Sequence, residues 1–294
     1  MKKLTQVALI SAAIFGSGNA LANEMYFDLG TNGYDYTFGS HVEDTDSKTA
    51  NFNLLGFTDF WATSVYDMTD GTLEGDFFDT NITSELTALG VPASGTAMDG
   101  VSTVDLVMPN CGGGQCDIDA LSPITPPLSG DNEGYLGTWD IQVEYHLEGT
   151  LDAVTGPSYH GGTMEFFFND FIDDSNDRKI LTATVTGSEL SIANLNVFFD
   201  VTFAEAGFLW IDNGTGTFVD ASTLGVGEYA TFALDTNVFP PIPTADQLLL
   251  VGDNAIRQAS LDGSISAKVP EPSSVALLSL GLLGFAAVSR KISI

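Results

Sequence analysis

The sequence predicts an all-β body, a β-sandwich or jelly-roll-like arrangement with a few short helices, and three observations carry that expectation. In Trp139-Asp140-Ile141-Gln142-Val143-Glu144-Tyr145-His146-Leu147-Glu148 every odd position is apolar and every even one polar, the period of a half-buried strand. Similar but rougher runs occur at Tyr34 to Phe38, Asn51 to Phe57, Val101 to Met108, Ile180 to Thr186, Leu190 to Phe203, Phe208 to Ile211 and Glu228 to Leu234. Helical periodicity is scarce.

The first element is an N-terminal signal peptide. Met1-Lys2-Lys3 supplies positive charge, Val7 to Phe15 is apolar except for Ser11, and Gly16 to Ala22 supplies small residues ending in Ala20-Leu21-Ala22. That order is what export and signal peptidase require, and it places cleavage after Ala22, with Asn23 as the first mature residue. The short apolar run cannot span a hydrocarbon core, which takes about 20 residues.

Between the strand runs stand turn signals at Asp70-Gly71, Gly161-Gly162, Asp212-Asn213-Gly214 and Asp262-Gly263, and Gly149 is read as the end of the strand that begins at Trp139. Two short helices are expected. Thr83 caps one that runs to Leu89 and is closed by Gly90 and Pro92; Thr244 caps another that runs to Val251 and ends at Gly252. The body, residues 23–268, is read as one domain, with the Pro-rich stretch from Leu121 to Asn132 as its one candidate boundary. It contains no internal repeat, which argues against a solenoid or propeller.

The chain has two cysteines, both in Cys111-Gly112-Gly113-Gly114-Gln115-Cys116. The glycines let the loop curl until the sulfurs meet, so an exported chain is expected to form a local disulfide there. A zinc pair lacks a second Cys or His pair to complete it.

Acidity bounds the partners. Of the 39 Asp and Glu and 9 Lys and Arg in the chain, the termini hold Glu271, Lys2, Lys3, Arg290 and Lys291. The body therefore keeps 38 acids against five bases, a formal charge of −33. Nucleic acid and anionic membrane surfaces would be repelled. The acids suit a solvated, non-sticky surface, divalent-cation binding, or a saline habitat that screens their repulsion.

No catalytic constellation is legible, and the chain is not expected to be an enzyme. His41, His146 and His160 fall in no spacing with a mechanism; His146 is expected to be solvated on its strand's polar face and His160 to sit in a turn. Glu144 and Glu148 share a strand face about 13 Å apart, too far to act as a glycosidase pair, and Glu165 lies on another predicted strand. The segment Asn169-Asp170-Phe171-Ile172-Asp173-Asp174-Ser175-Asn176-Asp177 offers more. Asn169, Asp170, Asp173, Asp174, Asn176 and Asp177 crowd oxygen ligands between two strand runs, which suits calcium, although the spacing is not that of an EF-hand. Asp, Asn and Ser also favour plain exposed turns. Phe166 to Phe168, Phe198, Phe199 and Phe203 fall in strand runs and are expected in the core, while Trp61 and Trp210 take no assignment.

The last element is a C-terminal hydrophobic helix. After Val269-Pro270-Glu271-Pro272 an uncharged run from Ser273 to Val288 leads to Ser289-Arg290-Lys291. Sixteen residues at 1.5 Å rise reach about 24 Å, the short limit of a spanning helix. The basic pair would keep that end cytoplasmic and leave the body outside.

Pro270, Glu271 and Pro272, the short apolar run and the basic end Arg290 and Lys291 resemble the PEP-CTERM sorting signal. The resemblance covers residues 269–294. It implies recognition by an exosortase, transient anchoring in the inner membrane, delivery to the surface or matrix of a Gram-negative cell, and a host that makes extracellular polysaccharide. Met164 to Phe203 further resembles flocculation-associated PEP-CTERM proteins, which implies a structural or adhesive role in biofilm or floc. The alternative carried with it is a secreted polysaccharide-binding or glycoside-hydrolysing protein.

Overall fold

A computed structural model of the chain describes residues 23–34, 46–90, 119–124, 133–135, 137–191, 194–224, 231–237 and 241–268. The cleavage residues Ala20 and Ala22, the cysteines Cys111 and Cys116, the sorting residues Pro270, Glu271, Pro272, Arg290 and Lys291, the run from Val101 to Met108 and His41 lie outside them. Among the described residues no helix is long and apolar enough to cross a membrane.

The strands are β1 (Met25–Phe27), β2 (Leu54–Asp67), β3 (Gly75–Thr80), β4 (Asp119–Ile124), β5 (Trp139–Asp152), β6 (Gly156–Asp170), β7 (Arg178–Ser191), β8 (Asn194–Ala204), β9 (Leu209–Asp212), β10 (Phe218–Asp220), β11 (Thr231–Asn237), β12 (Leu249–Val251) and β13 (Asn254–Lys268). Among the described residues one α-helix, α1, spans Thr83–Ala88. The all-β expectation holds. In place of two facing sheets, however, β13, β11, β8, β7, β6, β5, β3 and β2 follow one another as antiparallel neighbours, and β2 pairs back onto β13. The sheet thus curls until it closes. β3 and β4 divide one strand position between β2 and β5: β3 pairs with Thr63 to Tyr66, and β4 with Leu54 to Gly56. Closure leaves few unpaired edges, the usual liability of a long sheet.

Alternation selects the inner face. Trp139, Ile141, Val143, Tyr145, Leu147 and Leu151 of β5 are all buried, as the period of two requires. The same rule sorts the aromatic runs: Phe166, Phe168 and Phe199 are buried, but Phe203, expected in the core, is 45% exposed and lies beneath the Lys179 ammonium.

Several glycine signals have a different meaning from the one expected. β5 does not stop at Gly149 but continues to Asp152 through a register shift at Glu148 and Gly149. A Cβ at Gly149 would stand 2.7 Å from the Phe77 ring, so the glycine makes room for an inward aromatic. Gly161-Gly162 lies within β6, and Gly263 lies within β13 where its register with β2 shifts. Long strands that curl into a closed sheet need such local bends. Asp70-Gly71 and Asp212-Asn213-Gly214 are turns as expected, between β2 and β3 and between β9 and β10.

The helical expectations are met in part. α1 forms, but Ile82 rather than Thr83 occupies its N-cap, with no side-chain hydrogen bond. Within the stretch from Thr244 to Val251 the 3₁₀ turn Ala245–Gln247 alone is helical; Leu249–Val251 is strand β12, paired with β13. The single run from Leu190 to Phe203 is a hairpin between β7 and β8.

A second sheet of β1, β9 and β10 packs over one end of the barrel. Met25, Phe27, Phe208 and Leu209 meet Leu55, Ile141, Phe166 and Phe232 around an apolar space. The Phe27 ring lies 4.9 Å from Phe52, 5.2 Å from Phe208 and 5.9 Å from Trp139. Trp210 faces away from this core, stacked on Tyr26 at 5.9 Å.

Candidate functional site

At the other end of the barrel the interior turns polar. Asp79, Ser64 and Arg257 occupy facing positions of β3, β2 and β13. The Tyr159 hydroxyl donates to Asp79 Oδ2. Burial pushes the Asp79 carboxyl up, against the opposing pull of Ser64, Tyr159, Arg257 and His146. Burial likewise raises Tyr159 well above a free phenol, and Tyr66 is pushed up to about 12 by burial and by Asp79. Asp79 is 7% exposed and Arg257 4%, so this cluster is closed to bulk solvent. The buried Arg257 charge favours the ionised carboxyl but does not outweigh the cost of burying it.

The outer face over the same strands carries a groove of about 530 Å³. Val65 and Phe78 lie along it, with Asp67, Asp76, His146, Glu148, His160 and Asn254 around them. Five strands, β2, β3, β5, β6 and β13, contribute. His146 is not simply solvated as expected. Its ring stacks on Phe78 at 5.0 Å and an interplanar angle of 21°, its Nδ1 lies 2.9 Å from Glu85 Oε2 of α1, and its Nε2 lies 3.7 Å from Glu148 Oε1. His160, expected in a turn, is an exposed residue of β6. The neighbouring Gly161 makes space for Glu148, because a Cβ there would fall 2.9 Å from Glu148 Oε2.

The carboxylates weighed for glycoside chemistry separate. Glu148 borders the groove, whereas Glu144 and Glu165 are direct cross-strand partners elsewhere on the outer face, and Lys179 Nζ lies 2.9 Å from Glu165. That pairing joins β5 to β6 and was invisible to a reading along one strand.

The Asn169 to Asp177 segment is the β6–β7 connection. Asp170, 1% exposed, accepts hydrogen bonds from the Ile172 and Asp173 amides through Oδ1, and from the Tyr34 hydroxyl and Asn176 Nδ2 through Oδ2. Burial pushes its carboxyl up, but these donors outweigh burial and hold it below the usual carboxylate range. Asp177 Oδ1 accepts from the Asp170 amide, and Asp173 Oδ1 from the Ser175 amide and hydroxyl. Asn169 turns instead to Asp140, 3.0 Å away, and Asp174 is exposed. Among the described residues, no group of three or more His, Cys, Asp or Glu is gathered as a metal site.

Asn23, the expected mature N-terminus, is tied into the fold. Its amide donates to the Ala267 carbonyl at 3.0 Å and its side chain to the Asp212 carbonyl at 2.5 Å.

Residues 268–291 match the family model described as the PEP-CTERM protein-sorting motif. Such a motif implies an exported protein that is transiently anchored in a membrane, processed by an exosortase and delivered to the cell surface. No curated protein and no solved structure matches the chain significantly.

Proposed function

Proceeding from the sorting motif at residues 268–291, we propose that this chain is a structural or adhesive protein of the extracellular matrix in biofilm or floc. Signal peptidase and an exosortase are its processing partners, and extracellular polysaccharide is its working surroundings. The matched motif carries the reading. A body of charge −33 that stays soluble outside the cell, on a closed sheet with few edges to aggregate, supports it.

The test is the double change Glu271→Ala with Pro272→Ala. The altered chain should accumulate in the membrane at its unprocessed size, and matrix fractions should lose it. Unchanged delivery to the surface would overturn the sorting assignment.

A second reading, polysaccharide binding or hydrolysis by the body, is favoured by one observation, the groove with its aromatic wall and three carboxylates. Incubating the chain with the host's polysaccharide separates retention without turnover, the mark of a binding module, from release of shorter products, the mark of a hydrolase.

A further inference from the structure

We propose that the groove between β13, β2, β3, β5 and β6 is a binding site for neutral sugar units, with Phe78 as the apolar platform and Asp76 and Glu148 as the hydroxyl acceptors. The inference deepens the polysaccharide-binding reading by giving it a site and a ligand class. Its volume, about 530 Å³, lies within the roughly 300–1,000 Å³ of small-molecule sites.

The composition of the wall selects the ligand. Asp67, Asp76 and Glu148 bring three carboxylates, while among the described residues neither Lys nor Arg lines the groove. Anionic sugars such as uronates would meet uncompensated negative charge. An ionised carboxylate only accepts hydrogen bonds, so the groove needs a ligand rich in donors. Sugar hydroxyls supply them. Among the described residues the carboxylates do not gather as a metal site.

Apolar surface within the groove asks for a ligand with an apolar face as well. Phe78 offers a ring braced on one side by His146, which is itself held by Glu85, so the platform is fixed before a ligand arrives. The C–H face of a pyranose stacks on such a ring while its hydroxyls reach the carboxylates around it. Gly161 keeps the space over Glu148 clear, since an added methyl would meet the Glu148 carboxylate. The sheet's own geometry therefore keeps an acceptor beside the platform.

The test measures binding of the full chain, extracted in detergent, to a neutral glucose tetramer by calorimetry, with a galacturonate tetramer as the anionic comparison. The neutral tetramer should bind and the uronate should not. Phe78→Ala should weaken binding about tenfold, in line with loss of one aromatic contact. Asp76→Asn changes an exposed residue and should leave the fold intact while reducing binding severalfold. Glu189→Gln, exposed on β7 and away from the groove, should change nothing. Equal affinity in wild type and Asp76→Asn, preference for the uronate, or no binding of the neutral tetramer would each overturn the site. Surface delivery is scored in parallel: the sorting variant should bind the tetramer normally without reaching the surface, and Asp76→Asn should reach the surface while binding weakly. Failure of the groove and failure of the sorting assignment are thereby read separately.

Discussion

The Asn23 amide donates to the Ala267 carbonyl at 3.0 Å, which joins the expected first residue of the mature chain to the strand that leads into the sorting segment. The two ends of the body thus leave it side by side. β1 follows at once, its Met25 and Phe27 1% and 2% exposed. A peptidase cutting between Ala22 and Asn23 needs extended chain, so cleavage is expected before β1 docks.

Phe27 should then stabilise both ends. Phe27→Ala is expected to cost about 3–5 kcal/mol in urea unfolding, the range for a buried phenylalanine. It should also speed tryptic cleavage after Lys268, the last residue of β13, because Ala267 loses its firmly placed neighbour. Proteolysis at the wild-type rate would contradict the coupling of the two ends.

Gly162 should be irreplaceable in a way that Gly71 is not. Gly162 has φ +100°, and a Cβ there would stand 2.1 Å from the His146 carbonyl oxygen. Gly71 has φ +80° with open space around it. Gly71→Ala is expected to cost about 1 kcal/mol from backbone conformation alone, and Gly162→Ala about 3 kcal/mol once the clash is included. Similar losses on chemical denaturation would refute the reading of Gly162 as a packed bend in β6.

Asp79 should make the protein less stable as pH rises out of the acid range. Burial holds its folded value above the ordinary carboxylate value of about 3.9. Between those two values the unfolded chain has given up a proton that the folded chain keeps, so stability falls with rising pH through that window and levels off above it. Asp79→Asn cannot ionise, and its stability should gain on wild type as pH rises above the ordinary carboxylate value of about 3.9. Parallel pH profiles for the two proteins would rule out a buried, upward-shifted Asp79.

Calcium tests the β6–β7 loop. The Asp170 carboxylate is occupied by four donors, and Asn169 and Asp174 point their chemistry elsewhere or into solvent. Calcium should therefore raise the melting temperature of wild type and of the Asp173→Asn, Asp174→Asn double variant equally, by screening a strongly acidic body. A rise confined to wild type would place an ion in the loop after all.

Much of this was legible from neighbouring residues alone. The alternation from Trp139 to Glu148 determined which β5 side chains are buried, because successive residues of a strand must face opposite ways. Local chemistry also marked the turns at Gly71 and Gly214, the helix near Thr83 and the sorting segment that matches at residues 268–291. Whether the sheet would close was another matter. A period of two says which face is apolar but not which strand lies alongside, and β13 meets β2 across more than half the length of the chain. Gly149, Gly161, Gly162 and Gly263 carry the same local signal as a turn glycine, and only the partner strands made them bends within β5, β6 and β13. The groove has the same origin: Phe78, His146, Glu148, His160 and Asn254 belong to four strands, and curvature, a property of the closed sheet and of no single segment, gathers them.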